Sequence, residues 1–475
     1  MAETGLEDLR RARDAAARVA DLVELRLDRL ARPDAAGALA GRAGPVVVTC
    51  RPSWEGGWFE GAEEDRFALL DRALELGAEF VDVEWRAADR ARALLARWGG
   101  TRVVLSLHDF TGVPGDLEER CRTMLGTGAR VVKIAVTAAR LADSLPLLAL
   151  APRFAGAGLA LVAMGTPGAP SRILAARFGS CWTYAGEGTA PGQIPAGRLI
   201  EEFRFRSITP ATRVYGILGR PVSHSVSPAM HNAGFAERGI DAVYVPFEAA
   251  SVEDFRQLAL ALDVRGASVT APFKIDVVPY LGRCDRWTRR VGACNTLRVS
   301  GDRWDGRNTD VEGFLAPLRG RVRLEGLRVA IVGAGGAARA AAAGLADAGA
   351  SVTVHARRAG EAAAVAEVAG GRAAAGPPQA GEWDLLVNAT PLGSLAEPGR
   401  LPVDPAGLGA GLVYDLVYNP PGTLLRRAAE AAGCDTIGGL DMLVAQAARQ
   451  FEWWTGTEAP AAVMREAAER ALGRV

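Results

Sequence analysis

A serine pair opens the chemically richest stretch of this chain. Residues Tyr215 to Asn232 read YGILGRPVSHSVSPAMHN, an apolar run leading into hydroxyls at Ser223 and Ser225. Two residues apart in an extended segment, both side chains share one side and suit a small carboxylate. Three polar clusters follow, VTAPFK (Val269 to Lys274), GACNT (Gly292 to Thr296) and GRNTD (Gly306 to Asp310), and together they read as a pocket for a polyol. Next, VAIVGAGGAAR (Val329 to Arg339) carries a strand into a glycine-rich turn. Backbone N–H groups at such a helix start can receive a pyrophosphate. In the other half, Lys133 lies inside the apolar run VVKIAV and His108 near the end of RVVLSLHD. A lysine there is costly to bury unless paired or neutralised. Near other cations its pKa should fall, and the free amine could form a Schiff base with a carbonyl while His108 moves a proton.

The elements that must carry these groups alternate. In the first two hundred residues, β-like runs at Leu22 to Asp28, Val46 to Cys50, Phe80 to Trp85, Arg102 to Asp109, Val131 to Val136, Leu159 to Met164 and Cys181 to Ala185 are separated by helical stretches rich in Ala, Leu and Arg. Seven strands so spaced imply a parallel sheet, and a (β/α) barrel closes it naturally. Polar residues sit within these strands or at their C-terminal ends: Glu24, Arg26, Arg51, Glu84, His108 and Lys133. Barrel enzymes place their chemistry there. In the second half, the glycine turn opens a helix expected over Ala337 to Ala348, and the next strand ends in VTVHARR with no acidic residue for a ribose hydroxyl. Arg357 and Arg358 offer charge for a 2′-phosphate instead.

Composition narrows the partners. The chain has 475 residues, nearly half apolar, enough for about three domains. Lys plus Arg equals Asp plus Glu at 55 each, so nothing electrostatic points to nucleic acid or an anionic membrane. Six scattered cysteines without a CxxC pair and only four histidines indicate neither a disulfide framework nor a metal site. No signal-peptide segment or apolar run of the ~20 residues of a membrane span is present, so a soluble, cytoplasmic protein acting on small molecules is expected.

ADLVELRLD, VTCRPSWEGG, LSLHDF, VKIAV, MGTPGAPSR, FGS and TAPGQIP, spread over Leu6 to Phe205, resemble type I 3-dehydroquinate dehydratases. The resemblance implies that Lys133 forms the Schiff base, His108 relays protons and Glu55 orients the histidine. It implies that Arg172 binds the substrate carboxylate and that Glu24, Arg26, Arg51, Thr189 and Gln193 complete the substrate site. The family's opening strand, of the form ICVSI, has no counterpart after Met1, Ala2 and Glu3. The expectation is a barrel with a gap where that strand should pair, between the Leu22 and Cys181 runs, and a natural start further upstream.

The four clusters and the glycine turn, over Val214 to Gly456, resemble the shikimate dehydrogenase family. That implies Ser223 and Ser225 on the substrate carboxylate, Thr270, Asn295, Thr309, Tyr418 and Gln446 around its ring, and Lys274 with Asp310 as the catalytic pair. It also implies NADP as cofactor, held by Gly333, Ala334, Gly335, Gly336, Ala337, Arg357, Arg358, Asn388, Thr390 and Gly439, with no metal. The expected domains are a dehydratase barrel (1–206), a shikimate-binding domain (213–318) completed by helices 437–475, and a Rossmann domain (324–436). The order is that of the plant-type fusion: 3-dehydroquinate to 3-dehydroshikimate, then to shikimate. The competing readings are a quinate-type dehydrogenase with an impaired dehydratase half and a non-catalytic metabolite sensor; the latter would be expected to lose Lys133, His108, Lys274 and Asp310.

Overall fold

The structure, a computed structural model, describes residues 5–186 and 192–473. The chain divides into two compact units, residues 1–211 and 212–475.

In the first unit, apolar β-branched runs form β1 (Val23–Arg26), β2 (Val46–Thr49), β3 (Phe80–Glu84), β4 (Val103–Asp109), β5 (Val131–Thr137) and β6 (Leu159–Met164). All pair in parallel and in sequence order. In a flat sheet, β1 and β5 would lie about 19 Å apart at the usual strand spacing. Yet Glu24 of β1 and Lys133 of β5 approach to 3.8 Å. The sheet therefore curls as a barrel wall, with Val47, Val104, Val131 and Ala160 packed on its inner face.

The expected seventh strand, Cys181 to Ala185, does not form. The free edge of β6 is occupied by side chains instead: Ser180 Oγ accepts from the Leu161 amide and Ser171 Oγ from the Ala163 amide, each at 2.9 Å. One backbone bond remains, from the Cys181 amide to the Leu159 carbonyl at 2.7 Å. β1 has a single strand neighbour among the described residues. Its other side borders a cavity of about 820 Å³ lined by Leu22, Val23, Glu24, Arg26, Trp182 and Tyr184, among others.

The second unit holds two six-stranded sheets. The first comprises β7 (Arg213–Gly219), β8 (Ala242–Glu248), β9 (Val264–Val269), β10 (Leu281–Cys284), β11 (Thr296–Ser300) and β12 (Arg303–Arg307), in the order β10-β12-β11-β9-β7-β8. Only β11 runs antiparallel to its neighbours. The helices Ser227–Glu237, Gly439–Thr455 and Ala461–Leu472 pack on it through Met230, Phe235, Phe451 and Met464. The other sheet comprises β13 (Arg328–Val332), β14 (Ser351–His355), β15 (Arg372–Ala374), β16 (Leu385–Asn388), β17 (Leu412–Asp415) and β18 (Asp435–Gly438), all parallel, in the order β15-β14-β13-β16-β17-β18. The strand order reverses at β13, and a dinucleotide crevice lies at such a switch point.

Ser223 and Ser225 are not on an extended segment, contrary to the sequence reading. β7 stops at Gly219, and the Ser225 amide bonds the Val222 carbonyl at 3.1 Å to close a turn. Ser225 Oγ then accepts from the amide of Ser227, where the next helix begins, at 3.2 Å. Pro221, which lacks an N–H, cannot continue a ladder here. Among the described residues no helix is long and apolar enough to cross a membrane, and no cluster of three potential metal ligands forms.

Candidate active sites

Inward-facing positions of the first unit alternate along each strand and bring opposite charges together. Lys133 on β5 is buried, with its Nζ 3.1 Å from Asp82 Oδ2 on β3 and 3.8 Å from Glu24 Oε1 on β1. The Tyr184 ring lies under the ammonium, 4.2 Å from centroid to Nζ. Thr49 on β2 donates to Glu24 at 2.7 Å and so fixes that carboxylate. Arg51, just past β2, reaches Asp82 with one terminal nitrogen at 2.9 Å and Glu84 with the other at 2.7 Å. Ser106 on β4 accepts from Arg51 at 2.8 Å and donates to Asp82 at 2.5 Å.

These neighbours overturn the expectation that surrounding cations lower the Lys133 pKa. Burial alone would lower it, but the charges of Asp82 and Glu24 outweigh burial and hold it above the ordinary lysine value. Asp82 is held below the usual carboxylate range: burial would raise it, and Arg51 and Lys133 prevail. His108 at the end of β4 is pushed well below its ordinary value by burial, with Arg51 and Lys133 adding to the effect. The imidazole is therefore neutral at pH 7. Glu55 Oε1 meets its Nδ1 at 3.1 Å and its backbone amide at 3.2 Å. With Nδ1–H donating to Glu55, Nε2 is left as the basic nitrogen. Burial raises Glu55 itself to about 7.

The remaining expected positions divide. Arg26 is committed to Asp28 through two bonds, at 2.9 and 2.7 Å. Arg172, on the short helix Ala169–Ile173, is buried and donates to the Ala163 carbonyl at 2.8 Å; burial lowers it to about 10. Gln193 lines the cavity beside β1 together with Glu24 and Arg26. Thr189 lies outside the described residues. Asp82 and Ser106 were not singled out from sequence, although FVDVEW places Asp82 and Glu84 two apart, facing the same side.

In the second unit the polar clusters converge. Lys274 Nζ bonds Asp310 Oδ2 at 2.6 Å. Asn295 donates to Asp310 Oδ1 at 2.6 Å and to Gln446 Oε1 at 3.3 Å, while its own oxygen accepts from the Thr309 amide at 2.8 Å. Behind them, Gln450 donates to the Asn295 carbonyl at 3.2 Å and accepts from Ser268 at 2.7 Å, and Tyr244 donates to Ser268 at 2.6 Å. This second layer was not read from sequence, although Gln450 stands one helical turn after Gln446. Thr270 follows β9, where its methyl leaves no room for a Cβ on Gly219. Tyr418 packs with the core of the substrate-side sheet.

The glycine turn fits a dinucleotide on structural grounds. Gly333 adopts φ +124°, and a Cβ there would lie 2.7 Å from the Ala389 carbonyl oxygen. At Gly335 a Cβ would meet open space, the room a ligand's phosphates need. The helix Gly336–Asp347 begins immediately after Gly335. A Cβ on Gly336 would contact the Lys274 side chain at 3.4 Å, so the lysine stem passes directly by the nucleotide turn. Ala334 and Ala337 belong to the same turn and helix start. Arg357 and Arg358 are exposed past β14, with Arg358 bonded to Glu361 at 2.7 Å. Asn388 ends β16 buried, donating to Asp415 at 2.8 Å and accepting from the Thr390 hydroxyl at 2.7 Å. Gly439 is required by packing, since a Cβ would fall 2.3 Å from the Leu416 carbonyl.

One signal bears on both sites at once. Lys and Arg together number 55, and only two are lysines, Lys133 and Lys274. Each unit has one, and each is bonded to an aspartate. Arginine cannot give up a proton near neutrality, whereas a lysine can.

Comparison with known proteins reaches both units. The family pattern described as Type I 3-dehydroquinase matches residues 1–210. The shikimate dehydrogenase substrate binding domain matches 217–297, and the shikimate 5′-dehydrogenase C-terminal domain matches 439–469. The chain is 34% identical, over 93% of its length and 78% of the relative's, to the chloroplastic bifunctional 3-dehydroquinate dehydratase/shikimate dehydrogenase of Arabidopsis thaliana. It is 42% identical to the NADP(+) shikimate dehydrogenase of Moorella thermoacetica, over 55% of this chain and 95% of that one. The crystal structure of the Thermus thermophilus shikimate 5-dehydrogenase in complex with NADP(H) and shikimate matches with a TM-score of 0.51 and 37% identity, over 55% of this chain and 99% of that one.

Proposed function

We propose a reaction path from one premise: the chain belongs to the family of bifunctional 3-dehydroquinate dehydratase/shikimate dehydrogenases. It dehydrates 3-dehydroquinate to 3-dehydroshikimate and reduces that product to shikimate with NADPH. The observation that carries the assignment of residues is the pairing of each unit's only lysine with an aspartate, Lys133 with Asp82 and Lys274 with Asp310.

In the first unit, Lys133 attacks the substrate ketone once its ammonium has passed a proton to a neighbouring base. The adduct loses the ketone oxygen as water to give an iminium that acidifies the adjacent C–H; His108 removes that proton through Nε2, the hydroxyl conjugate to the carboxylate leaves as water, and hydrolysis of the iminium frees the product and the amine. Glu55 keeps the imidazole in the required tautomer, and Arg172 takes the substrate carboxylate. Glu24, Arg26, Arg51, Thr189 and Gln193 complete the substrate site.

In the second unit, Gly333 to Ala337, Arg357 and Arg358 would hold NADPH, with Asn388, Thr390 and Gly439 beside them. When bound, NADPH supplies a hydride. The Lys274 ammonium stabilises and protonates the developing alkoxide, and Asp310 holds the lysine in place. Ser223 and Ser225 take the substrate carboxylate; Thr270, Asn295, Thr309, Tyr418 and Gln446 take its hydroxyls. The substrate-binding domain spans 213–318 with 437–475, the nucleotide domain 324–436 and the dehydratase barrel 1–206. The six cysteines are free, which supports a reducing compartment, here the cytoplasm.

The test combines a coupled assay with trapping. Dehydroquinate plus NADPH should yield shikimate, and borohydride added with dehydroquinate should leave the reduced product on Lys133. An adduct at any other position, or none, overturns the role given to Lys133.

A further inference from the structure

Arg66 stands on the helix Glu63–Glu75, outside the curled sheet, yet is completely buried. Its Nη1 donates to Glu84 Oε2 at 2.5 Å and to the Cys50 carbonyl at 3.3 Å. Its Nε and Nη2 hold Glu63, on its own helix, at 3.1 and 2.6 Å. The two oxygens of Glu84 are divided between two guanidiniums, Oε2 to Arg66 and Oε1 to Arg51. The two terminal nitrogens of Arg51 are likewise divided, one to Glu84 and one to Asp82. A chain of alternating charge thus runs Glu63, Arg66, Glu84, Arg51, Asp82, Lys133, from the outer helix to the amine.

We propose that Arg66 is a positioning residue for dehydration: through Glu84 and Arg51 it holds Asp82 against Lys133. The proposal rests on the reading of Lys133 as the imine-forming residue. Arg66 touches neither the amine nor the place where substrate must lie beside it, so its effect passes entirely along the chain. The groups facing it are Glu63 on its own helix, the Cys50 carbonyl past β2, Glu84 on β3 and the Phe67 ring at 4.8 Å. Glu84 in turn faces Arg51 and Arg66, with Asp82 on its own strand adding like charge. Burial drives the Glu84 carboxyl upward, and the two arginines oppose it. Without Arg66, Glu84 keeps its proton to higher pH, and a protonated Glu84 no longer anchors Arg51. The aligned state of Asp82 and Lys133 then exists only at higher pH.

The experiment uses the full chain carrying R66M or R66K, with dehydratase kcat followed against pH. Shikimate oxidation in each preparation reports the amount of chain with an intact second unit, and thermal melting reports the integrity of the first. In R66M the acidic limb of kcat moves upward by about one pH unit, the size of a single lost charge contact. R66K, which keeps the cation, leaves the limb at the wild-type position. A purely structural arginine would lower kcat at every pH without displacing the limb, and an unmoved limb in R66M overturns the proposal. If R66M does not melt as a folded unit, R66Q, which keeps a donor but no charge, is read in the same way. Borohydride trapping on the wild-type chain separates the two ideas. A missing Lys133 adduct removes the underlying reading, whereas an adduct with an unmoved limb removes the proposal alone.

Discussion

Lys133 is the residue where surroundings and required chemistry pull in opposite directions. The attack needs a free amine, but Asp82 and Glu24 keep the ammonium at rest by raising its pKa above the ordinary value. The fraction of amine therefore grows as pH rises. Replacing Asp82 with Asn removes the nearest opposing charge and leaves burial, which acts the other way. The expected outcome is that adduct formation with dehydroquinate begins at lower pH in D82N than in the wild type, read by quenching with borohydride across a pH series, while dehydratase kcat falls at every pH because the amine is no longer held in place. Stability moves the other way. A raised folded-state pKa stabilises the fold below the unfolded value of 10.5, and that contribution fades as pH rises through the folded value. D82N forfeits it at neutral pH and strands Arg51 with one fewer partner, so the first unit should lose roughly 3 kcal/mol, seen in denaturant titration at pH 7. Lys133 and His108 were legible from their place in apolar strands. The sign of the lysine's shift was not, because its partners come from strands far away in sequence.

Strands and turns decide where such residues can meet. β1 to β6 were readable as apolar runs between amphipathic stretches, within a residue or two at each end. The seventh run was not, since Ser171 and Ser180 take the edge of β6 by tertiary contacts that no local pattern announces. The serine turn after β7 misled for a similar reason: alternation implies one side only if the segment stays extended. At the nucleotide end, β14 delivers Arg357 and Arg358 to solvent with Arg358 already sharing Glu361. Neutralising both arginines should raise the Kd for NADP far more than that for NAD, each contact contributing about 1.5 to 3 kcal/mol. Equal weakening, measured by calorimetry with both nucleotides, would make these arginines structural. The free side of β1 gives a second expectation at this scale. The Val23 amide donates to the Pro45 carbonyl just before β2, so by alternation the Glu24 and Arg26 amides point toward the cavity. These two should exchange with deuterium well ahead of those in β3 to β5, as resolved by NMR or fragment mass spectrometry.

Across the whole molecule, each unit assembles its own polar cluster from its own strands. A chain inactivated by K133A should still oxidise shikimate, and one inactivated by K274A should still dehydrate dehydroquinate. Mixed together, the two variants should carry dehydroquinate through to shikimate by way of released intermediate. If the mixture stays silent while each half-reaction persists, the units depend on each other within one chain. The division of labour was legible because motif clusters fall in separate halves of the sequence, whereas the supporting layers, Arg66 behind Glu84 and Gln450 behind Asn295, emerge only when helices close over the sheets. The scarcity of lysine has one further consequence. Apart from the terminal amino group, every primary amine in this protein is one that the proposed chemistry uses. Acylating reagents, amine-coupled supports and amine-directed crosslinkers, which ordinarily decorate a protein's outside at little cost to it, have no harmless target here beyond the chain's terminus. An anhydride that reaches either lysine silences the reaction centre that lysine serves.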